Sequence, residues 1–319
     1  MILAIGHDRR SMSLPCMTDR GASSLAYCCL LNLGRALKGI MGSAMAANLQ
    51  KAGMATTVWN RSGDKCAPLV AMGCAQAASA AEAARASDVT FACLSDPAAA
   101  EAAVFGPGGV LEGIEGKVYI DMSTVDEHTS KKIGAAVTAK GGRYLEAPVS
   151  GSKKPAIDGT LIILAAGDKS AYELALPAFD VMGKKSFLLS EEVGAGARMK
   201  LIVNMVMGSM MSSFAEGMAM ADKGGLQQDD LLEALSLGAI AAPLFAMKGA
   251  AVKARSFATQ FPLKHQQKDL RLAIQLADEL GQATPIAAAA NELYKQAKMV
   301  GEADSDMSAV YNAVNPAAK

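Results

Sequence analysis

Lys200 and Asn204 have the residue types and the spacing for proton transfer. Four residues are just over one helical turn, so the two side chains lie on one face of a helix. The residues around them, from Leu201 to Met211, are mostly apolar. An ammonium group there costs free energy unless it is paired, hydrated or used, and beside an amide it can protonate a developing alkoxide, as carbonyl reduction requires. The alternative is a lysine whose ammonium group simply reaches solvent at a helix start.

A second group of residues suits a dinucleotide phosphate. A strand, a glycine-rich turn and a helix together form an anion site, because free N–H groups and the helix dipole point at the anion. Gly39-Ile40-Met41-Gly42 matches the closing half of the dinucleotide fingerprint, but Arg35 to Lys38 separate it from Gly34. The alternative for so short a motif is helix packing through small residues.

The end of the next predicted strand indicates which cofactor is bound. Val58-Trp59 is followed by Asn60, Arg61 and Ser62. An acidic residue at this point would bind a ribose 2′-hydroxyl, whereas an arginine accommodates a 2′-phosphate. A charge-assisted contact of about 1.5–3 kcal/mol favours NADP(H) over NAD(H) by roughly tenfold to a hundredfold. The alternative is an ordinary exposed arginine.

The elements that position these residues follow from the hydrophobic pattern. Strands are predicted at 25–34, 56–59, 89–94, 118–122, 144–147, 160–166 and 186–189, and helical patterns at 42–52, 64–72 and 77–86. This alternation indicates parallel βαβ units, and after Gly194 only helical patterns remain. We therefore predict an α/β Rossmann-type domain followed by an all-α C-terminal domain. The predicted boundaries are an irregular leader at 1–24, an NADP-binding domain at 25–192 and a helical substrate and oligomerisation domain at 194–315.

Composition excludes several classes of function. The 319 residues are 51% hydrophobic and carry 31 basic and 31 acidic side chains, with no basic block to bind nucleic acid. Six scattered cysteines indicate free thiols in a reducing compartment, and three dispersed histidines are too few for a zinc site, so no metal is expected. The apolar stretch 201–221 contains Asn204 and Glu216, which favours a buried helix over a membrane span.

Several longer segments together resemble the β-hydroxyacid dehydrogenase family, which is 6-phosphogluconate dehydrogenase-like, and most closely its plant-type glyoxylate/succinic semialdehyde reductases. These segments are Gly39-Ile-Met-Gly-Ser-Ala-Met-Ala-Ala-Asn48, Thr57-Val-Trp-Asn-Arg61, Tyr119-Ile-Asp-Met-Ser-Thr-Val125, Pro148-Val-Ser-Gly-Ser-Lys-Lys-Pro155, Leu161-Ile-Ile-Leu-Ala-Ala-Gly-Asp168, Lys200-Leu-Ile-Val-Asn204 and Phe261-Pro-Leu-Lys-His-Gln-Gln-Lys-Asp-Leu-Arg271. The resemblance runs from about residue 39 to 312.

The resemblance implies a role for each matching residue. Lys200 would be the catalytic acid/base and Asn204 its orienting neighbour, while Ser150 and Gly151 would hold the substrate carboxylate. The other implied site residues are Thr124 between nicotinamide and substrate, Phe261 as a pocket wall, Lys268 and Asp269 closing the pocket with Lys268 near the cofactor, and Leu94, Ser95 and Pro97 as cofactor contacts after a strand end. Taken singly, Ser150-Gly151 also fits a plain turn, Phe261 a core residue and Lys268-Asp269 a solvated pair.

The departure from the family pattern lies in the glycine loop. In the family a strand runs directly into Gly-x-Gly-x-x-Gly, whereas Arg35 to Lys38 interrupt it here. Two interpretations stay open: Leu25–Gly34 supplies the first strand with a bulged loop, or this end is a gene-model artefact. The interruption puts tight cofactor binding in question.

The resemblance implies NADPH-dependent reduction of a small aldehyde acid, glyoxylate to glycolate or succinic semialdehyde to 4-hydroxybutyrate, without a metal. Two alternatives stay open: a 3-hydroxyisobutyrate-type dehydrogenase, and a scaffold like a chromatin-associated relative that lacks the catalytic lysine. We further expect a homo-oligomer, with no nucleic-acid or membrane partner, in the cytoplasm. The alternative locations are plastid and mitochondrion.

Overall fold

The computed structural model describes residues 27–31 and 40–316, with backbone alone at 27–31 and at 40. Several predictions fall outside these residues: the leader at 1–24, the ends of the first predicted strand, the interruption at Arg35 to Lys38, and Gly39. The described chain forms two compact units, which divide between Ala197 and Arg198.

The α/β unit alternates strands and helices, and the helical unit continues with helices. The strands are β1 (Tyr27–Leu31), β2 (Thr56–Trp59), β3 (Ala75–Gln76), β4 (Val89–Cys93), β5 (Val118–Asp121), β6 (Arg143–Glu146), β7 (Val149–Ser150), β8 (Leu161–Gly167) and β9 (Gly183–Ser190). The helices are α1 (Ile40–Lys51), α2 (Ala67–Val70), α3 (Ala80–Arg85), α4 (Pro97–Phe105), α5 (Glu127–Ala139), α6 (Lys153–Ile157), α7 (Lys169–Met182), α8 (Ala195–Lys223), α9 (Gln228–Leu237), α10 (Pro243–Lys253), α11 (Leu263–Glu279), α12 (Pro285–Met299) and α13 (Tyr311–Val314).

The strands form one sheet in the order β3-β2-β1-β4-β5-β6-β8-β7, with β9 beside β8. The pairs from β3 to β6 are parallel, and β1 lies between β2 and β4, with Tyr27 opposite Thr56 and Val89. An order of 3-2-1-4-5-6 with helical crossovers is the doubly wound, dinucleotide-binding arrangement. The predicted fold class is confirmed. The backbone of β1 occupies the central place that the first-strand interpretation of Leu25–Gly34 requires.

Two of the differences from the predicted elements concern α2 and β7. The helix predicted at 64–72 is a 3₁₀ turn (Gly63–Cys66) followed by the short α2, because Pro68, which has no N–H, occupies the first helical turn and a new helix begins there. β7 is antiparallel to β8, as is β6, so the sheet is not wholly parallel. Strands of two residues, such as β3 and β7, are too short for a periodic pattern to predict.

Local sequence explains the main elements of the α/β unit. The strand β4 is a continuous apolar and small-residue run, which suits a parallel strand covered on both faces. Aspartates precede three helices, and Asp96, Asp126 and Asp168 each accept a hydrogen bond from a backbone N–H in the first turn. The buried core includes Phe91 and Phe179, whose ring centroids lie 6.1 Å apart.

The helical unit has a core of its own. Phe214 on α8 and Phe245 on α10 stack with centroids 4.8 Å apart, and the side chains of Tyr294 and Tyr311 are buried nearby in the same cluster. Among the described residues, no helix is both long enough and apolar enough to cross a membrane.

Candidate active site

Lys200 lies on α8 and is buried, with 5% of its surface exposed. Asn204 lies one turn further along and is 2% exposed. Leu201 between them packs in a small apolar cluster with Leu272 and Leu276 of α11. Because neighbouring apolar side chains exclude water, the ammonium group of Lys200 depends on polar partners within the protein.

A chain of short hydrogen bonds begins at the amine. Lys200 Nζ donates to Asn204 Oδ1 at 2.6 Å, and Asn204 Nδ2 donates to Asp269 Oδ2, also at 2.6 Å. Nζ of Lys268 lies 2.9 Å from Asp269 Oδ1 and forms an ion pair with it. Asp269 is 1% exposed, so its carboxylate is compensated inside the protein. The four side chains therefore form one connected group in the helical unit.

Burial changes the acidity of the catalytic candidate. It lowers the pKa of Lys200 to about 8, and the positive charge of Lys268 acts in the same direction. The negative charge of Asp269 opposes both by raising this pKa. A general acid works best when its pKa is near the operating pH. Lys200 therefore holds a proton near neutral pH and can release it readily.

Gln266 supports this group from α11 and was not predicted from the sequence. Its Nε2 donates to the backbone carbonyl oxygen of Asn204 at 2.9 Å, and the residue is fully buried. Gly208 on α8 allows this approach, because a Cβ there would lie 2.3 Å from Gln266 Nε2. The close contact between α8 and α11 thus depends on the absence of a side chain at position 208.

The α/β unit has a pocket at the carboxyl ends of β2 and β4. It is lined by Trp59, Asn60, Arg61, Leu94, Ala99, Ala102 and Ala103. Asn60 is buried, and its Nδ2 donates to the carbonyl oxygen of Ser62 at 2.7 Å, which shapes the turn after β2. Arg61 is exposed at this turn. Strand ends of this kind are where open α/β sheets bind ligands.

Hydrogen bonds connect the neighbouring strand ends of β4 and β5. The N–H of Leu94 donates to Ser123 Oγ at 2.9 Å, and the N–H of Ser123 donates to Asp121 Oδ1 at 2.9 Å. Ser95 donates its hydroxyl hydrogen to the carboxylate of Asp96 at 2.5 Å, and Pro97 follows in the first turn of α4. Thr124 directly follows Ser123 and is half-buried. The two hydrogen bonds of Ser123 hold together the loops that carry the predicted cofactor contacts.

Ser150 and Gly151 form a tight turn at the end of β7. Gly151 has φ +131°, and a Cβ there would lie 2.8 Å from a Leu161 methyl carbon and 2.9 Å from Pro155 Cβ. Only glycine fits this backbone and this space.

Phe261 lies in the helical unit, where it directly precedes Pro262 and α11. It is half-buried, and its ring centroid lies 6.4 Å from that of His265.

The structure brings seven of the predicted site residues together in two groups. Lys200, Asn204, Lys268 and Asp269 form one, and Asn60, Arg61 and Leu94 line the pocket of the other. Ser62, Ser95 and Pro97 lie in adjacent turns and do not line that pocket. Ile40, Met41 and Gly42 form the first turn of α1.

Glu146 is another buried acidic group that sequence reasoning missed. Its Oε1 accepts the N–H groups of Gly194 and Gly196 at 2.7 Å each, and Oε2 accepts the hydroxyl of Ser130. Burial raises the pKa of this carboxyl. The carboxylate therefore caps the start of α8. A glutamate at the end of an apolar strand was the available signal.

Comparison with known proteins assigns the chain to a family. Residues 38–190 match the NAD-binding domain of 6-phosphogluconate dehydrogenase, and residues 194–314 match the NAD-binding domain of NADP-dependent 3-hydroxyisobutyrate dehydrogenase. Glyoxylate/succinic semialdehyde reductase 1 of Arabidopsis thaliana is 58% identical, over 86% of this chain and 96% of its own. The chloroplastic glyoxylate/succinic semialdehyde reductase 2 of the same plant is 54% identical, over 88% and 78%.

A nuclear factor and a solved structure also match the chain. The cytokine-like nuclear factor N-PAC of Gallus gallus is 49% identical over 86% of this chain, which spans 50% of that protein. The crystal structure of 3-hydroxyisobutyrate dehydrogenase from Salmonella typhimurium has a TM-score of 0.79 at 27% identity, covering 89% of this chain and 99% of that one.

The fold and these matches define an NADP-dependent oxidoreductase. The chain belongs to the 3-hydroxyisobutyrate dehydrogenase and 6-phosphogluconate dehydrogenase-like family. The residues at the end of β2 fit NADP(H), because Asn60-Arg61-Ser62 places a guanidinium, and no carboxylate, where the additional phosphate of NADP(H) would be bound.

Proposed function

We propose that this protein reduces small aldehyde acids with NADPH, converting glyoxylate to glycolate and succinic semialdehyde to 4-hydroxybutyrate, with Lys200 as the proton donor. The observation that carries the proposal is the buried amine of Lys200, hydrogen-bonded to Asn204 Oδ1 at 2.6 Å. The names of the Arabidopsis relatives support the choice of substrates.

The reaction needs NADPH and the aldehyde acid from solution and one proton from the protein. When bound, NADPH supplies the hydride that reduces the aldehyde carbon. The Nζ of Lys200 donates a proton to the carbonyl oxygen as negative charge develops there, and the neutral amine that remains is favoured by its apolar surroundings. Asn204 holds the amine through its Oδ1. Lys200 recovers its proton from solvent after the alcohol leaves.

The remaining predicted residues bind and orient in this proposal. Ser150 and Gly151 offer a hydroxyl and a backbone N–H to the substrate carboxylate, and Thr124 contacts substrate and nicotinamide. Phe261 forms a wall of the substrate pocket, and Asp269 closes that pocket from the helical unit and also orients Asn204. The residues proposed to bind NADP(H) are Gly39, Ile40, Met41, Gly42, Asn60, Arg61, Ser62, Leu94, Ser95, Pro97 and Lys268.

The test is NADPH oxidation with glyoxylate, succinic semialdehyde and methylmalonate semialdehyde. We expect Lys200→Ala to slow turnover by about 10²–10⁴, or about 3–5 kcal/mol of barrier. The matched control is Lys223→Ala, which removes an exposed lysine from the same helix. Unchanged turnover in a folded Lys200→Ala variant would remove Lys200 from the mechanism.

The same assay distinguishes the other candidates. A preference for methylmalonate semialdehyde would indicate a 3-hydroxyisobutyrate-type dehydrogenase, the activity named in one matching family model. No oxidation with any substrate would favour a scaffold, a role suggested by the match to a nuclear factor. The buried Lys200-Asn204-Asp269 chain favours the enzyme, because a scaffold gains nothing from burying an amine.

We also propose a homo-oligomer located in the cytoplasm. Exposed apolar side chains on the helical unit, among them Leu237, Ile240 and Met247, favour self-association. The alternative locations are plastid and mitochondrion, and the name of the chloroplastic relative favours plastid of the two. Light scattering on the purified protein tests the first proposal, and imaging of the tagged full chain tests the second.

A further inference from the structure

Asp306 is a buried carboxylate with five hydrogen-bond donors around it. Its side chain is 2% exposed. Oδ1 accepts from Lys248 Nζ at 2.7 Å, from the Ser308 hydroxyl at 2.7 Å and from the Ser308 N–H at 3.1 Å. Oδ2 accepts from the N–H groups of Gln260 at 3.0 Å and Phe261 at 3.1 Å. The carboxylate therefore connects α10 to the segment that leads into α11.

Backbone hydrogen bonds connect the segment that leads into α11 to residues 305–307. The N–H of Asp306 donates to the Phe257 carbonyl at 3.0 Å, and the N–H of Met307 donates to the Phe261 carbonyl at 2.8 Å. The N–H of Leu263 donates to the Ser305 carbonyl at 2.9 Å. Both main-chain polar groups of Phe261 are thus held by residues 306 and 307. Its half-buried ring packs against the buried core of the helical unit, and these main-chain hydrogen bonds fix the backbone from which the ring projects.

Lys248 makes this arrangement dependent on charge. Its side chain is 11% exposed and carries the ammonium group nearest to Asp306. A buried carboxylate with a buried ammonium partner stays ionised, so both of its oxygens can only accept hydrogen bonds. The N–H groups of Gln260 and Phe261 therefore always face an acceptor. Removal of one partner leaves the other charge buried and uncompensated.

We propose that Asp306, oriented by Lys248, is a positioning residue that places Phe261 in the substrate pocket. This inference rests on the proposed function, in which Phe261 is a wall of that pocket. Asp306 does not touch the substrate and acts through the backbone of residues 260 and 261. A displaced ring weakens substrate binding and misaligns the carbonyl, while the NADP(H) contacts of the α/β unit stay intact.

The experiment compares Asp306→Asn in two backgrounds, the natural chain and Phe261→Ala. In the natural background we expect KM for the aldehyde acid to rise about tenfold, with KM for NADPH within about twofold of its starting value. In the Phe261→Ala background we expect Asp306→Asn to change KM by less than about twofold, because residues that act as one unit are not additive. Ser308→Ala, which removes one donor from Oδ1, is the milder variant if Asp306→Asn does not fold.

Two controls separate positioning from loss of stability. Val252→Ala truncates a buried side chain one turn from Lys248 and should lower Tm without changing KM. Asp229→Asn removes the exposed ion pair of Lys253 on the same helix and should change neither. An equal rise of KM in both backgrounds, or none in the natural one, overturns the inference.

Hydrogen exchange keeps the inference testable if the proposed function fails. If the natural chain oxidises NADPH with none of the three substrates, the proposed function is wrong. Exchange of the amides of residues 257–263 then decides on Asp306 alone. Faster exchange there in Asp306→Asn, but not in Val252→Ala, supports the positioning role, and unchanged exchange contradicts it.

Discussion

Asn204 Nδ2 donates to Asp269 Oδ2 over 2.6 Å, and this bond determines which atom of the amide faces Lys200. An ionised carboxylate can only accept, so the NH₂ group must turn toward it and the amide oxygen toward the amine. The orientation of Lys200 is therefore set by a residue on another helix, 65 positions away in the sequence. In the proposed mechanism, proton donation from Lys200 is directional for the same reason.

Asp269→Asn should lower kcat/KM for the reduction and should also lower the pKa of Lys200. The lost negative charge no longer raises that pKa, and the Asn204 amide is free to rotate. We expect kcat/KM to fall about 10- to 100-fold, part of what general acid catalysis supplies, and the descending limb of its pH profile to shift to lower pH. Asp278→Asn, an exposed aspartate on the same helix, is the control. A limb that stays in place or moves to higher pH would show that Asp269 does not act on Lys200.

The pH dependence of the two reaction directions should be opposite. In the proposed mechanism, reduction requires protonated Lys200, which is present below its pKa of about 8, so kcat/KM should fall as pH rises through that value. Oxidation of the hydroxy acid requires the neutral amine, so its kcat/KM should rise through the same pH. Initial rates of reduction and of oxidation, measured across the pH range, test both profiles. Parallel profiles in the two directions would exclude Lys200 as the titrating group.

Gly208→Ala should destabilise the helical unit and reduce activity. A Cβ would collide with Gln266 and displace its hydrogen bond to the Asn204 carbonyl. The matched control is Gly217→Ala on the same helix, where no atom beyond the local helix backbone lies within 4 Å of the added Cβ. That change should stabilise by up to about 1 kcal/mol, the usual gain for Gly to Ala inside a helix. Thermal unfolding of both variants is the measurement, and equal effects would contradict the close-packing argument.

Arg61→Ala should weaken the preference for NADP(H). The loss of a charge-assisted contact to the 2′-phosphate should raise KM for NADPH by about 10- to 100-fold and leave KM for NADH nearly unchanged. Arg85→Ala, which removes an exposed arginine of the same unit, should change neither value. A similar rise with both cofactors would mean that Arg61 holds a part of the cofactor common to NADPH and NADH.

The fold could be predicted in large part because its signals are local. The alternation of short apolar runs and helical patterns predicts parallel βαβ units, and the end of strand signals after Gly194 predicts the helices that follow. The antiparallel β7 could not be predicted, because two residues carry no period. The pattern over 64–72 predicts one helix, although Pro68 is a local signal for the new helix that begins after the 3₁₀ turn.

By itself, the sequence determined the pair Lys200 and Asn204 and the residues after β2, because helical spacing and strand ends place neighbours in the chain together. Only the tertiary structure decided that Asp269 orients Asn204, that Gln266 reaches its backbone past Gly208, and that Asp306 holds Phe261. These contacts join helices or loops that are distant in the sequence. No local periodicity records them, since they depend on how closely the helices approach and on which buried polar atoms then have to find partners.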